Sequence, residues 1–196
     1  MSRGRLIVFE GGEASGKSTQ ARLLAEALGA VLTHEPGGTA LGRHIREVVL
    51  DPSARALDER AEALLMAADR AQHVAEVVRP ALDRGQDVVT DRYSGSTIAY
   101  QGYGRGLDRE ELARLTRWAA RGLEPDVVVL LDVPAAVAAS RMAGARDRME
   151  AEDRAFHARV TEGYRALAAA DPGRWVVVDG SGTIDEVAER VLKAVR

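Results

Sequence analysis

Residues Gly11-Gly12-Glu13-Ala14-Ser15-Gly16-Lys17-Ser18 fit the pattern GxxxxGK[ST] without a gap. Glycines at these positions let the backbone curl until several N–H groups face one point. A helix starting at the end of the loop adds its partial positive charge to that anion cradle. The chemistry this allows is binding of a nucleoside triphosphate by Gly11 to Ser18 and the adjoining Thr19. Lys17 can span the β- and γ-phosphates, and the Ser18 hydroxyl can ligate the Mg²⁺ that bridges them. The flanks agree, with the apolar run Leu6 to Glu10 before the loop and the helical pattern Ala21-Arg22-Leu23-Leu24-Ala25 after it. Alone, the loop leaves GTPases, motor ATPases and small-molecule kinases open. A GTPase is disfavoured, because the usual base-reading Asn-Lys-x-Asp element cannot occur in a sequence that contains no asparagine.

A second anion site is suggested by Asp91-Arg92-Tyr93, which closes another strand-like run. Ligands bind at that end of the strands in an open α/β sheet, where the Arg92 guanidinium can grip a phosphate bidentately. Asp91 has two readings, holding a magnesium-bound water near the phosphates or capping the loop. His34, His44, His73 and His157 show no metal-ligand spacing. Tyr93, Trp118 and Trp175 read as packing residues.

Five β-branched runs position these groups: Leu6 to Glu10, Ala30 to His34, Asp87 to Asp91, Val127 to Asp132 and Trp175 to Asp179. The Ala-, Leu-, Glu- and Arg-rich stretches between them are too long for hairpins and long enough for crossover helices, so the strands should be parallel. Val127 to Leu131 lacks polar alternation, as expected of a strand covered on both faces. The expected fold is α/β, a three-layer α/β/α sandwich on a five-stranded parallel sheet, with residues 1–196 as one domain. Leu57, Ala61, Leu64, Leu65, Ala68, Ala71, Ala75, Val78 and Leu82 recur at helical spacing, predicting one long amphipathic helix whose apolar stripe faces the core. The alanines in that stripe would also let a second copy approach closely, which suggests a homodimer.

A net charge of −3 with interspersed signs offers no basic face for nucleic acid or anionic lipid. No apolar run approaches a membrane span, so a cytoplasmic protein is expected. The absence of cysteine excludes disulfides, thiolate metal sites and thiol nucleophiles. All but two of the 27 basic residues are arginine, the exceptions being Lys17 and Lys193. That skew fits thermal adaptation or a GC-rich genome equally.

Together with the phosphate-binding loop, four segments resemble thymidylate kinases of the bacterial type, in the family's order over most of the chain. They are Glu35-Pro36-Gly37-Gly38-Thr39, Ala68-Asp69-Arg70-Ala71-Gln72-His73, Asp91-Arg92-Tyr93 with Tyr100-Gln101-Gly102 behind it, and Asp147-Arg148 after Arg141. The resemblance implies a P-loop nucleoside monophosphate kinase fold and phosphorylation of dTMP to dTDP by Mg·ATP in dTTP synthesis. It implies that Arg92 and Arg46 hold the monophosphate, that Arg70 meets the thymine edge with Thr97 beside the base, and that Pro36, Met66 and Gln101 also bind dTMP. Tyr100 would crowd the 2′ position, and Glu13 would accept from the 3′-hydroxyl. The Glu35–Pro36 bond should be cis. Arg141, Arg146 and Arg148, around Gly144, resemble an arginine-bearing lid at about 140–150. With Ala14 where some family members place an arginine, these arginines join Lys17 and Arg92 as the catalytic candidates. Two positions depart from the family pattern: Met66 stands where a phenylalanine commonly stacks on thymine, and His34 where an arginine often stands.

The acceptor would itself be a phosphate whose second pKa is about 6, so the reaction needs no general base. It needs alignment and charge neutralisation. Two rivals remain at this stage: a P-loop kinase of another small metabolite, with Asp91 as base for a hydroxyl acceptor, and a nucleotide-binding module that transfers nothing.

Overall fold

The computed structural model describes residues 3–54, 56–141 and 147–195. Its centre is a five-stranded sheet of β1 (Leu6–Glu10), β2 (Val31–His34), β3 (Val88–Asp91), β4 (Val127–Asp132) and β5 (Trp175–Asp179), in the order β2-β3-β1-β4-β5 with every neighbouring pair parallel. The strands fall where the β-branched runs predicted. Because β1 is central and covered on both faces, all five of its residues are buried. Ile7 and Phe9 pack with α1 (Lys17–Leu28) and α9 (Ile184–Ala194), through Leu24 and Val191. Leu6 and Val8 point to the opposite face, against Val74, Val78 and Leu82. A third cluster joins Tyr100 and Leu130 to Phe156 and Tyr164 of α8 (Arg154–Ala170). This is the expected three-layer sandwich. Among the described residues, no helix is long and apolar enough to cross a membrane.

The predicted long helix is present but oriented differently. It comprises α3 (Glu59–His73), a π-helical turn at Val74–Val78, and α4 (Arg79–Asp83). Asp58 caps α3, its carboxylate accepting from the backbone N–H groups of Arg60 and Ala61. Along α3 the apolar stripe faces outward: Leu64 is 58% exposed and Ala68 is exposed, whereas Glu62, Asp69, Arg70 and His73 are buried. The inner face carries these polar groups beside Ala63 and Ala67, and segments remote in sequence supply hydrogen-bond partners for Glu62, Arg70 and His73. The wider π turn shifts the phase of the helix, and Val78 and Leu82 then enter the core. Two shorter helices flank α3: α2 (Ala40–Leu50), which follows the Glu35–Pro36 cis bond, and α6 (Arg109–Ala119). Helix α5 (Ser94–Thr97) continues into the π-helical stretch Ile98–Gly104, and α7 (Ala135–Arg141) follows β4.

Candidate active site

The phosphate-binding loop links the buried end of β1 to the start of α1. Gly11 lies at φ +148°, and a Cβ there would approach the Leu131 carbonyl oxygen to 2.6 Å, so this close turn requires glycine. No side chain caps α1, and its first turn carries no acidic residue. The positive end of its dipole is therefore left facing the loop. The Lys17 ammonium is buried, donating to the Gly12 carbonyl at 2.7 Å and to Ser15 Oγ at 3.3 Å. Burial, and then the neighbouring Arg92 charge, lower its pKa to about 8.

Ser18 Oγ donates to Asp91 Oδ2 at 2.5 Å across the β1–β3 end of the sheet. Asp91 Oδ1 is buried with no hydrogen-bond partner among the described residues. A hydroxyl beside an orphaned carboxylate oxygen is a donor set that suits a hydrated, oxygen-loving divalent cation, so these residues fit Mg²⁺.

Arg92 adopts a left-handed backbone conformation at φ +72°, which turns its side chain back toward the loop. Its Nη2 donates to Glu13 Oε1 at 2.7 Å and to Tyr100 Oη at 3.2 Å, and its Nη1 donates to Tyr164 Oη at 3.1 Å. Tyr100 Oη donates to the same Glu13 oxygen at 2.5 Å. Burial would raise the Glu13 pKa, but Arg92 and then Lys17 outweigh it and hold the carboxyl at about 2. Lys17 and Arg92 thus face Glu13 and Asp91 in one cleft, so the two cations are held in place by carboxylates until an anion arrives.

Arg70 is positioned from three sides: Nε donates to Glu35 Oε2 at 2.9 Å, Nη1 to Thr97 Oγ1 at 3.0 Å, and Nη2 to the Tyr93 carbonyl at 2.9 Å. His73 Nδ1 lies 2.8 Å from Glu35 Oε1, and its Nε2 lies 2.7 Å from Thr33 Oγ1. Burial acts to raise the Glu35 pKa, but Arg70 and His73 hold it below the ordinary carboxylate range. Arg46 Nη1 donates to the Pro36 carbonyl at 2.9 Å.

A single cleft of about 620 Å³ joins these groups. It is lined by Glu13, Ala14, Gly16, Lys17, Ser18 and Thr19 on one side and by Pro36, Arg46, Met66, Arg70, Thr97, Tyr100 and Gln101 on the other, with Asp91 and Arg92 between. His34 lines the β2 edge of this cleft.

A sequence model of the thymidylate kinase family matches residues 9–191. This chain belongs to the thymidylate kinase family. It is 51% identical to the thymidylate kinase of Solidesulfovibrio magneticus over 199 residues, covering 94% of this chain and 95% of that protein. It is 52% identical to that of Leifsonia xyli subsp. xyli over 196 residues, covering 96% and 92%. The crystal structure of thymidylate kinase from Ehrlichia chaffeensis superposes with a TM-score of 0.84 at 32% identity, covering 99% of this chain and all of that one.

The arginines expected in the lid of this thymidylate kinase family member are placed unequally. Arg141, the last residue of α7, reaches the loop: Nη1 lies 3.5 Å from the Ser15 carbonyl, and Nη2 donates to the Gly180 carbonyl at 3.1 Å. Arg146 lies outside the described residues. Arg148 departs from the expectation, because its guanidinium lies outside the cleft, on Glu62 Oε2 at 2.5 Å and the Val49 carbonyl at 2.8 Å. Glu62 is fully buried and needs cationic partners, of which Arg148 is one and Arg105 the other.

Sequence reasoning missed the residues that hold the others. Glu10 anchors the Tyr93–Ser96 turn, Tyr164 supports Arg92, and Glu35 orients Arg70. Only Glu35 carried a sequence signal, as the acid of the Glu-Pro-Gly-Gly segment.

Proposed function

We propose that this chain is a cytoplasmic kinase that transfers the γ-phosphoryl group of ATP to dTMP, giving ADP and dTDP. The observation that carries this reading is that one cleft contains both the phosphate-binding loop and the Arg92–Arg70 recess. A phosphate oxygen of dTMP would attack the γ-phosphorus as the bond from that phosphorus to the β–γ bridging oxygen breaks. Lys17 would follow the γ-phosphoryl, Arg92 would hold the acceptor phosphate with Arg46 nearby, and Arg141 would close the donor side. Ser18 and Asp91 would hold Mg²⁺, which when bound with ATP neutralises charge on the β- and γ-phosphates. Glu13 and Tyr100 would meet the sugar, while Met66, Arg70, Thr97, Pro36 and Gln101 would enclose the base. No side chain need act as a base, since the acceptor phosphate is already mostly ionised at neutral pH, with a second pKa of about 6.

Incubating the protein with Mg·ATP and each common nucleoside monophosphate in turn, with ADP release followed, tests the reading. dTMP is expected to be the fastest acceptor; dCMP or AMP outrunning it would overturn the assignment.

The chain is read as one domain with a lid at about 140–150, and as a homodimer. What supports the dimer is a set of exposed apolar residues on three neighbouring helices, Leu41 and Val48 on α2, Leu64 and Ala68 on α3, and Trp118, 78% exposed, on α6. A second copy of the same face would cover it in a self-complementary contact.

A further inference from the structure

Glu62 lies outside the cleft, yet it is bonded to three side chains from two other segments. Glu62, Met66 and Arg70 are four residues apart and share one side of α3. Met66 and Arg70 line the cleft, and Glu62 is fully buried one turn earlier. Its Oε1 accepts from Gln101 Nε2 at 2.7 Å and from Arg105 Nε at 3.4 Å. Its Oε2 accepts from Arg148 Nη2 at 2.5 Å and from Arg105 Nη2 at 3.1 Å. The two guanidiniums are themselves fixed, Arg105 by Glu152 Oε1 at 2.5 Å and Arg148 by the Val49 carbonyl. The carboxylate therefore cannot rotate.

Burial favours its neutral form, but the Gln101 amide and the Arg148 and Arg105 guanidiniums reverse that and hold its pKa below the ordinary carboxylate range. An ionised carboxylate accepts hydrogen bonds and donates none. The Gln101 amide must then present its NH₂ end to Glu62. Its carbonyl oxygen is left for the cleft that Gln101 lines.

We propose that Glu62 is a positioning residue for base selection, fixing the Gln101 amide so that its carbonyl oxygen faces the base of the acceptor nucleotide. The inference rests on the reading of this recess as the acceptor site. A 2,4-dioxopyrimidine carries an N3–H that can donate to that oxygen. A 4-aminopyrimidine presents an N3 lone pair instead, which would face the oxygen with no proton between them. Discrimination then comes from the orientation of the amide, because a free glutamine could serve either base by turning over.

The test is the ratio of kcat/KM for dTMP to that for dCMP in wild type, Glu62→Gln, Gln101→Met and the double variant. Glutamine at 62 can offer either end of its own amide, so the ratio is expected to fall about tenfold, the worth of one hydrogen bond. In the Gln101→Met background, Glu62→Gln should change the ratio no further. A purely structural Glu62 would lower both substrates alike, and an unchanged ratio in Glu62→Gln would overturn the proposal. A ratio change that persists in the Gln101→Met background would also overturn it.

A measurement on the wild-type protein covers the case in which Glu62→Gln fails to fold. With isotope-labelled glutamine, adding dTMP should shift the Gln101 side-chain carbonyl ¹³C resonance and leave its amide ¹⁵N resonance nearly in place; the reverse pattern would refute the orientation. If wild type fails to use dTMP at all, the functional reading falls and takes this inference with it. If wild type prefers dTMP and the variants keep its ratio, the inference alone falls.

Discussion

Glu10→Gln tests whether the turn that carries Arg92 is anchored by a protonatable carboxyl. Glu10 is buried at the end of β1, its Oε1 accepting from the backbone N–H groups of Tyr93 at 3.1 Å and Ser96 at 2.9 Å, and its Oε2 from Ser96 Oγ at 2.6 Å. Burial pushes its pKa up from 4.5 to about 7, against the lowering effects of the Ser96 hydroxyl and Arg92. Between those values the folded protein holds a proton that the unfolded chain has released. Stability from this group is therefore complete below pH 4.5 and is lost as pH rises through 7. At about 1.4 kcal/mol per tenfold change in equilibrium constant, the displacement amounts to about 3 kcal/mol, most of it lost between pH 5 and pH 8. Glutamine can keep both backbone hydrogen bonds through its carbonyl and can donate to Ser96 Oγ through its NH₂. Urea unfolding of wild type and Glu10→Gln at pH 5 and pH 8 isolates the effect, because other titrating groups contribute to both proteins. The variant should gain about 2–3 kcal/mol relative to wild type on going from pH 5 to pH 8. A difference that stays constant within about 0.5 kcal/mol, or moves the other way, would refute the reasoning.

Lys17→Met should lower kcat by about 10²–10³-fold, the usual cost of losing one preorganised charge in a transition state, and steady-state ADP release measures it. Arg141→Ala should reduce kcat at least about tenfold with little change in KM for dTMP, since it lies on the donor side of the cleft. Arg148→Met should act first on stability, costing about 2–3 kcal/mol in urea unfolding, because the buried Glu62 loses one of its two cationic partners; a kcat loss matching that of Arg141→Ala, with stability intact, would return Arg148 to the donor site. Leu64→Glu should convert the proposed dimer to a monomer in sedimentation velocity, and a wild-type protein that sediments as a monomer would refute the dimer altogether.

The strands and the phosphate-binding loop were legible because they are local patterns. A β-branched run at the end of which glycines must curl reads the same in any context, and the elements appeared within a residue of their expected bounds. The inner face of α3 was not legible for the opposite reason. Periodicity reports that a stripe is apolar and says nothing of what covers it. Glu62, Arg70 and His73 are buried because Gln101, Arg105 and Arg148, and Glu35, Thr97 and Thr33, arrive from segments remote in sequence. A buried ion is tolerable only when such partners are complete. The same limit explains Arg148: its motif is local, but its partner is one turn of a distant helix. The polar inner face and the outward apolar stripe are therefore two consequences of one arrangement. Turning α3 to bury Glu62, Asp69, Arg70 and His73 leaves Leu64 and Ala68 on its outer side, where a second surface could cover them. On this reading, association and the shape of the acceptor recess are linked through one helix, so a substitution on the outer stripe that tilts α3 would also move Met66 and Arg70 at the cleft.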